Sequence, residues 1–374
     1  MKLSIPKVEL QRGLGRIQSI VEKRNTMPIL ANVLLEARKH GREGLLELAA
    51  TDLEVAIRGA QPAQVEKAGR MTASAKKLYE IVRELPDEPV RIEASADSYL
   101  QIRCARAEFT LAGAAAEEYP TLPSLTLERL ATVQAPVLAQ MIERTMYASS
   151  ADETRYNLNG VFIEQLADTG KVRMVATDGH RLAYVDRALG GEIEGLSPGV
   201  IVPRKALAEL RRLLEEEDAD ELELGFQGNS GLVRKKGVTL SMRLIEGEFP
   251  SYRQVIPREA KLQLVLPVEP FGQALRRVAV LSTEQTHAVK LELAPGLLKL
   301  SSSSPDLGQA QEELDVDYAG EAVQIAFNVR YLLEALAVSG GKEVRLSLQD
   351  PLSPARIVPT DDADTLAVVM PMRV

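Results

Sequence analysis

The run ATDGHRLA at 176 to 183 sets Asp178 two residues before His180, and a carboxylate that orients an imidazole is the minimal equipment of a general base. No serine or cysteine stands beside this pair as a flagged nucleophile, and the matching turn earlier in the chain reads ATDLEV (50 to 55), with no histidine. A turn in which Asp178 caps the local backbone and His180 packs on a neighbour accounts for the same residues without catalysis. Metal chemistry has less to work with. The chain has only His40, His180 and His287 and one cysteine, Cys104, so neither a zinc-type cluster nor an intrachain disulfide can be assembled. Cys104 lies in the alternating run LQIRCARAEFTL, which reads as a strand. No cofactor is implied.

What must position such a turn is a repeated scaffold, because one order of elements recurs about every 125 to 130 residues. Each copy opens with a helical pattern, at 7 to 24, 135 to 150 and 268 to 282, with apolar residues returning at three- and four-residue spacing. An apolar strand follows in ILANVLLEA, NLNGVFIEQ and AVKLELA. A strand, turn and strand come next, at 45 to 57, 171 to 185 and 297 to 314, with Thr51-Asp52 matching Thr177-Asp178. Second helices at 72 to 85, 202 to 217 and 327 to 340 align Leu78, Leu207 and Leu332.

A closing hairpin ends each copy, and the first two run into the connectors EEYPTLP (117 to 123) and GEFPSYRQVIP (247 to 257). Proline cannot donate to a ladder and restricts its predecessor, so Tyr119-Pro120 and Phe249-Pro250 predict extended linkers. The spacing predicts an α+β chain of three domains, 1–122, 123–252 and 253–374. Within each copy the order helix, three strands, helix, three strands is itself doubled, giving six similar units.

Net charge is −8, which taken alone argues against nucleic acid. Its distribution argues the other way. Taken as 7–24, 74–85, 136–148, 203–214, 270–283 and 328–338, the six helical windows hold 16 Lys and Arg against 7 Asp and Glu, about +9, and the remainder of the chain carries about −17. Helices offered to phosphate and an acidic surface elsewhere fit this segregation. The candidate contacts are Arg12, Arg16, Lys76, Lys77, Arg83, Arg144, Arg204, Lys205, Arg211, Arg212, Arg276, Arg277 and Arg330. None lies in a base-reading motif, so phosphate contact without sequence readout is expected. The start MKLSIPKVELQRG carries scattered charge, and no window approaches the roughly 18 apolar residues of a membrane span. The chain reads as cytoplasmic, with no membrane partner.

The motifs ATDGHRLA, NTMPILAN (25 to 32), RYNLNG (155 to 160), VPRKAL (202 to 207), GEFPSYRQVIP and VVMPMRV (368 to 374) resemble those of the bacterial sliding clamps, the β subunits of DNA polymerase III. The resemblance runs in register over all 374 residues. It implies three domains of the DNA clamp fold, each with two helices packed on antiparallel sheets, and two chains joined head to tail in a ring whose helices line the hole. It also implies a non-enzymatic processivity factor that encircles duplex DNA without sequence preference. Its partners would be a second copy, the replicative polymerase catalytic subunit, the clamp loader and other proteins with clamp-binding motifs.

By the same resemblance Arg24, in the loop after the first helix, would touch DNA, while Asp152 stands where the family often has Gln. A partner-peptide pocket would use Leu158, Thr177, Gly179, His180, Arg181 and Leu182 from the turn region, with Pro250 and Val255 from the connector. Asn328, Tyr331 and Leu352 would join it, with the tail residues Val368, Val369, Met370, Pro371, Met372 and Arg373. Aliphatic and Met side chains suit an adaptable apolar cleft, and Arg181, Arg373 and Asn328 would hold the peptide's polar groups. Where the best-known members carry Tyr, Arg and Ser this chain has Asn157, Gln254 and Pro354, so a different peptide preference is expected. Ring closure would pair Arg106, Phe109 and Leu111 of one chain with Val280, Leu281, Glu312 and Glu313 of the next. Two other functions compete with the clamp: an enzyme using Asp178 and His180, and a peptide-binding scaffold that never meets DNA.

Overall fold

The computed structural model describes residues 1–21, 27–40, 43–95, 97–122, 130–216, 220–258, 260–283 and 287–373. Among them are six α-helices: α1 (Lys7–Gln18), α2 (Ala75–Glu84), α3 (Ala135–Met146), α4 (Arg204–Leu214), α5 (Val268–Ala279) and α6 (Val329–Ala337). A short strand precedes every helix, namely Lys2–Ile5, Gly69–Ser74, Ala131–Gln134, Val200–Pro203, Leu262–Pro267 and Val323–Asn328. The recurring unit is therefore strand, helix and three strands, which corrects the expected order of helix and three strands. These strands have four to six residues and run without a turn into the helix, so their alternation is too brief to register beside the helical period. What stops each ladder is legible. Pro6 and Pro267 flank the first turns of α1 and α5, and the side chains of Ser74 and Asn328 accept from Lys77 N and Arg330 N to cap α2 and α6.

Each helix buries one stripe. In α1 it is Leu10, Gly13, Leu14 and Ile17, at the three- and four-residue spacing of one helix face. Gly13 is needed because a Cβ there would lie 2.7 Å from Leu48 Cδ1, so the helix backbone can approach the sheet only where no side chain intervenes. In α5 the stripe is Phe271, Gly272, Ala274, Leu275 and Val278, packed into a core with Leu291, Leu300, Phe327 and Leu346. Burying a side chain of this size stabilises by about 2 kcal/mol, so the stripe outweighs the weak intrinsic propensity of so short a helix.

The chain divides into two compact units: Met1–Ala135 with Ile193–Gly195 and Lys205–Leu244, and Pro136–Glu192 with Leu196–Arg204 and Ile245 to the end of the described chain. The first unit contains a 12-stranded sheet, in which Lys2–Ile5 also pairs with Val55–Lys67 and closes the first eight strands into a cycle. The second contains an 8-stranded and a 4-stranded sheet. One joint recurs in both units. The fourth strand of the first copy, Val55–Lys67, pairs antiparallel with the last strand of the second copy, Val238–Arg243, in the register Ile57↔Leu240. The fourth strand of the second copy, Arg181–Arg187, pairs likewise with the last strand of the third, Thr365–Val369, in the register Ala183↔Ala367. Ladders that run from one copy into the next explain why compact units and repeat copies divide the chain differently.

The connectors are not slack. Ala116–Glu118 and Tyr252–Gln254 are single 3₁₀ turns, and each connector plants a tyrosine on a sheet. Tyr119 OH accepts from Thr51 N (3.1 Å) and donates to Asn32 O (3.2 Å), beside Ala49, Ala56 and Leu122. Burial raises its phenol to about 12. Tyr252 packs against Val175, Leu182 and Val368, donates to Glu164 and accepts from Arg173 Nη1 at 3.3 Å. Tyr119 keeps the extended backbone expected before Pro120 (φ −78°, ψ 139°), while the 3₁₀ turns interrupt the extension and the rings tie both connectors to sheets.

The matched turns share one geometry. Thr51 Oγ1 accepts from Leu53 N (2.9 Å) while Asp52 Oδ1 accepts from Glu54 N (2.9 Å) and Val55 N (2.7 Å). Leu53 has φ +81°, where the second copy has Gly179 at φ +89°. A left-handed conformation costs a residue with a Cβ roughly 1–2 kcal/mol and glycine little, which exceeds the entropy glycine adds to the unfolded chain. We therefore predict that Leu53→Gly raises stability by about 0.5 kcal/mol, read as a later urea midpoint; an earlier midpoint would refute the strain.

Candidate functional site

The turn at 178 to 180 of the second unit is held as its counterpart is. Thr177 Oγ1 accepts from Gly179 N (3.1 Å) and donates to Arg181 O (2.6 Å). Asp178 Oδ1 accepts from His180 N (2.9 Å) and Arg181 N (3.0 Å). Asp178 thus contacts the backbone of His180, and the His180 ring instead stacks on Tyr331 with centroids 6.5 Å apart. The dyad geometry a general base needs is replaced by a capped turn.

Arg181 is the hub. Its Nε donates to Asp178 Oδ2 (3.1 Å), its Nη2 to Tyr147 O (2.7 Å) and its Nη1 to Glu334. The guanidinium lies 4.5 Å from the Tyr331 ring centroid and 5.4 Å from that of Tyr147. Burial pushes both phenols up, and the charge of Arg181 opposes that shift. With its side chain 11% exposed, Arg181 shapes the site by fixing the turn against α6. Tyr147 and Glu334 were not among the expected residues. Tyr147 follows the last turn of α3, and Glu334 stands three residues after Tyr331 on one helix face, a spacing that signals a shared surface.

The expected pocket residues fall into two sets. Leu182, Val368 and Val369 are at most 2% exposed and Leu158 is buried, so they support the surface from beneath. Val255 (48%), Leu352 (74%) and Met370 (38%) are exposed, as are His180, Pro250 and Arg373, and Thr177 and Asn328 are tied into backbone caps. Met370 N donates to His180 O (2.9 Å) and Met372 N to Ala326 O (2.7 Å), which carries the tail past Pro371 along the second unit. Exposed Tyr156 adds an aromatic edge that was not anticipated.

The departures also have places. Asn157 Nδ2 donates to Glu248 O (3.1 Å), tying the 3₁₀ segment Glu153–Leu158 to the connector. Asp152 caps that segment through Thr154 N (3.0 Å). Gln254 is exposed and Pro354 half-buried.

Among the cationic candidates, Arg12, Lys76, Lys77, Arg83, Arg204, Arg212, Arg276, Arg277 and Arg330 are exposed and Arg211 is half-buried, while Arg24 lies outside the described residues. Most keep an acid close by. Lys77 meets Glu80 (2.8 Å), Arg83 Glu84 (3.0 Å), Arg211 Glu215 (3.1 Å), Arg212 Glu209 (3.2 Å) and Arg277 Glu312 (2.5 Å). The pairs exposed on both sides hold for only about 0–1 kcal/mol, so a phosphate can compete for the cation; Arg212 differs, because its partner Glu209 is buried. Three candidates are committed more deeply. Arg16 grips Glu216 through two nitrogens, Lys205 pairs with Asp52, and Arg144, 9% exposed, pairs with Asp362 and donates to Thr365 Oγ1 (2.9 Å). For Arg144 the phosphate-contact expectation needs correction, because its side chain is buried in an intramolecular cluster.

The expected closure residues lie on open edges. Ala107–Ala114 is paired along its length with Tyr99–Cys104, but on its other side only Gly113 and Ala114 meet a partner. Phe109 is 37% exposed there, with Arg106 exposed and Leu111 half-buried. In the second unit Gly308–Asp315 pairs, among the described residues, only with Leu297–Ser304 and bears Glu312 and Glu313, while Val280 is 74% exposed and Leu281 half-buried. Among the described residues no group of acids, histidines and cysteines could hold a metal ion, and no helix is long and apolar enough to cross a membrane.

Family models for the DNA polymerase III beta subunit match three segments: the N-terminal domain at residues 1–123, the central domain at 132–251 and the C-terminal domain at 253–373. The beta sliding clamp of Caulobacter vibrioides is 40% identical over 379 residues, and that of Pseudomonas aeruginosa is 35% identical over 380, each covering 100% of both chains. Among solved structures, the DNA polymerase sliding clamp from Caulobacter crescentus superposes with a TM-score of 0.92 at 39% identity. A Bartonella birtlesii sliding clamp (DNA polymerase III subunit beta) bound to griselimycin gives 0.94 at 34%. Both cover 100% of each chain.

Two outcomes are expected. Arg181→Met should cost about 2–3 kcal/mol, because half-buried Asp178 loses its cation and Tyr147 O its donor, whereas Arg373→Met should cost under about 0.5 kcal/mol; equal urea midpoints would refute the hub. The second concerns pH. Burial would raise Asp362 above its ordinary 3.8, but hydrogen bonds from Thr365 and Arg187, the charge of Arg187 and the bond from Arg144 hold it lower. A depressed carboxylate stabilises the fold above its unfolded pKa and loses that contribution as pH falls through its folded value. Asp362→Asn should therefore destabilise at pH 7, and its deficit should shrink as pH falls below the ordinary carboxylate range; a constant deficit would contradict the linkage.

Proposed function

Because the chain belongs to the DNA polymerase III β-subunit family, the β sliding clamps, we propose that it is the processivity factor of DNA replication, closing around duplex DNA and tethering proteins to it. Full-length likeness to sliding clamps carries the reading. The cationic helices supply its mechanism. Exposed Lys and Arg side chains meet phosphates loosely and without base readout, so the protein can slide while topology prevents escape.

Closure follows from the repeat. In two places the fourth strand of one copy takes the last strand of the next, and among the described residues the fourth strand of the last copy, Gly308–Asp315, and the last strand of the first copy, Ala107–Ala114, have no such partner. A second chain, head to tail, supplies both, with Arg106 opposite Glu312 and Glu313 and with Phe109 and Leu111 beside Val280 and Leu281. Three clamp domains at 1–122, 123–252 and 253–374 then contribute two helices each. The surface bearing His180, Tyr331, Val255, Leu352 and Met370 receives a short peptide from the polymerase catalytic subunit, the clamp loader or other partners. No catalysis is assigned, and the setting is the cytoplasm.

Loaded on a nicked circle, the protein should be retained through gel filtration and lost when the circle is linearised; equal retention would refute topological binding. Charge reversal at Arg211 and Arg212 should lower loading several-fold, and unchanged loading would favour a scaffold that never meets DNA.

A further inference from the structure

The first unit contains a cavity of about 300 Å³ lined by Thr51, Leu53, Ala56, Ser230, Ser241 and Met242, with Glu54, Val55, Asn229 and Arg243 completing its wall. That volume lies at the small end of ligand sites. Its turn and its ladder repeat those of the second unit's proposed peptide surface. Asp52 N donates to Val55 O (3.2 Å) as Asp178 N does to Arg181 O (3.4 Å), and Arg243 N donates to Glu54 O (2.8 Å) as Met370 N does to His180 O (2.9 Å). The ladders agree as well, with Val55↔Met242 standing where Arg181↔Val369 stands.

Leu53 separates this site from an idle by-product of repetition. It is 54% exposed at the rim and held at φ +81°, where its counterpart is glycine. An apolar side chain presented to solvent from a backbone that disfavours it contributes nothing to the turn, whose hydrogen bonds are all made by Thr51, Asp52 and main-chain groups. The chemistry of the wall then selects the occupant. In the alignment of Leu207 with Leu332, Ala206 takes the place of Tyr331 and is buried, so no aromatic wall is provided in that position. Aliphatic contacts come from Leu53, Ala56 and Met242, and hydroxyl and amide groups from Ser230, Ser241 and Asn229 ring them.

We propose that this cavity is a second docking site, for a short linear peptide of a partner protein that seats an aliphatic side chain against Leu53 and Met242 and hydrogen-bonds its backbone to the surrounding polar groups. The inference rests on the peptide reading of the second unit through this likeness of construction, and the two are separately testable. The probe is acetyl-leucyl-leucine methylamide, titrated to about 20 mM into the full-length protein with ¹³C-labelled Met and Leu methyls. Saturable shifts at Met242 and Leu53 are expected. Leu53→Gly, which relieves the backbone and should fold at least as well, should weaken the Met242 response about tenfold, while Leu53→Met keeps it within about twofold. Shifts confined to Met370 and Leu352 would overturn this proposal and leave the second-unit surface standing. Shifts at Met242 alone would support it and count against that surface. No shift at Met242, or one indifferent to Leu53→Gly, overturns it.

Discussion

A strand with a neighbour on only one side exposes a row of N–H and C=O groups, and covering that row is the constraint on which this molecule is built. In the first copy Val55–Lys67 is covered by its own copy only at one end, where Lys2–Ile5 pairs near Val65. The cover comes from the following copy, Val238–Arg243 on Val55–Lys67 and Thr365–Val369 on Arg181–Arg187. Main-chain pairing is indifferent to side-chain identity, so the copies can diverge in sequence while the joints persist.

Side chains then lock what the ladders align. Tyr119 and Tyr252 return the connectors to the sheets, and Tyr252 does so within a polar chain from Arg253 through Glu164 to Arg173 and Asp186. Arg173 meets Asp186 through two nitrogens at 2.6 Å each and lies 4.2 Å from the Tyr184 ring centroid. Desolvating such charges returns little net stability, but removing either partner leaves a buried charge, so the chain fixes geometry more than it strengthens the fold. Arg181 does the same beside the tail.

Much of this was legible in the sequence. The helices, the Thr-Asp turns and the threefold order follow from period and turn chemistry, which are local. What escaped is what depends on distant partners. The strands before the helices take their meaning from ladders with remote segments, as Lys2–Ile5 does from Val90–Ala94. The burial of Arg144 requires Asp362, 218 residues away, and nothing near Arg144 announces it. Tyr147 and Glu334 become part of the site only through Arg181, whose turn the sequence does reveal.

The pairing of exposed cations with neighbouring acids changes how DNA binding should feel salt. An Arg or Lys that meets phosphate normally sheds dissolved counterions from the DNA, and affinity then falls steeply as salt rises. Glu80, Glu84, Glu215 and Glu312 stand as tethered counterions beside their cations, and those pairs weaken with salt just as the proposed phosphate contacts would. Salt loosens the internal competitor together with the external contact. A molecule built this way keeps a more even grip across ionic strengths than its count of basic residues implies, which suits a protein required to hold DNA without ever holding one place on it.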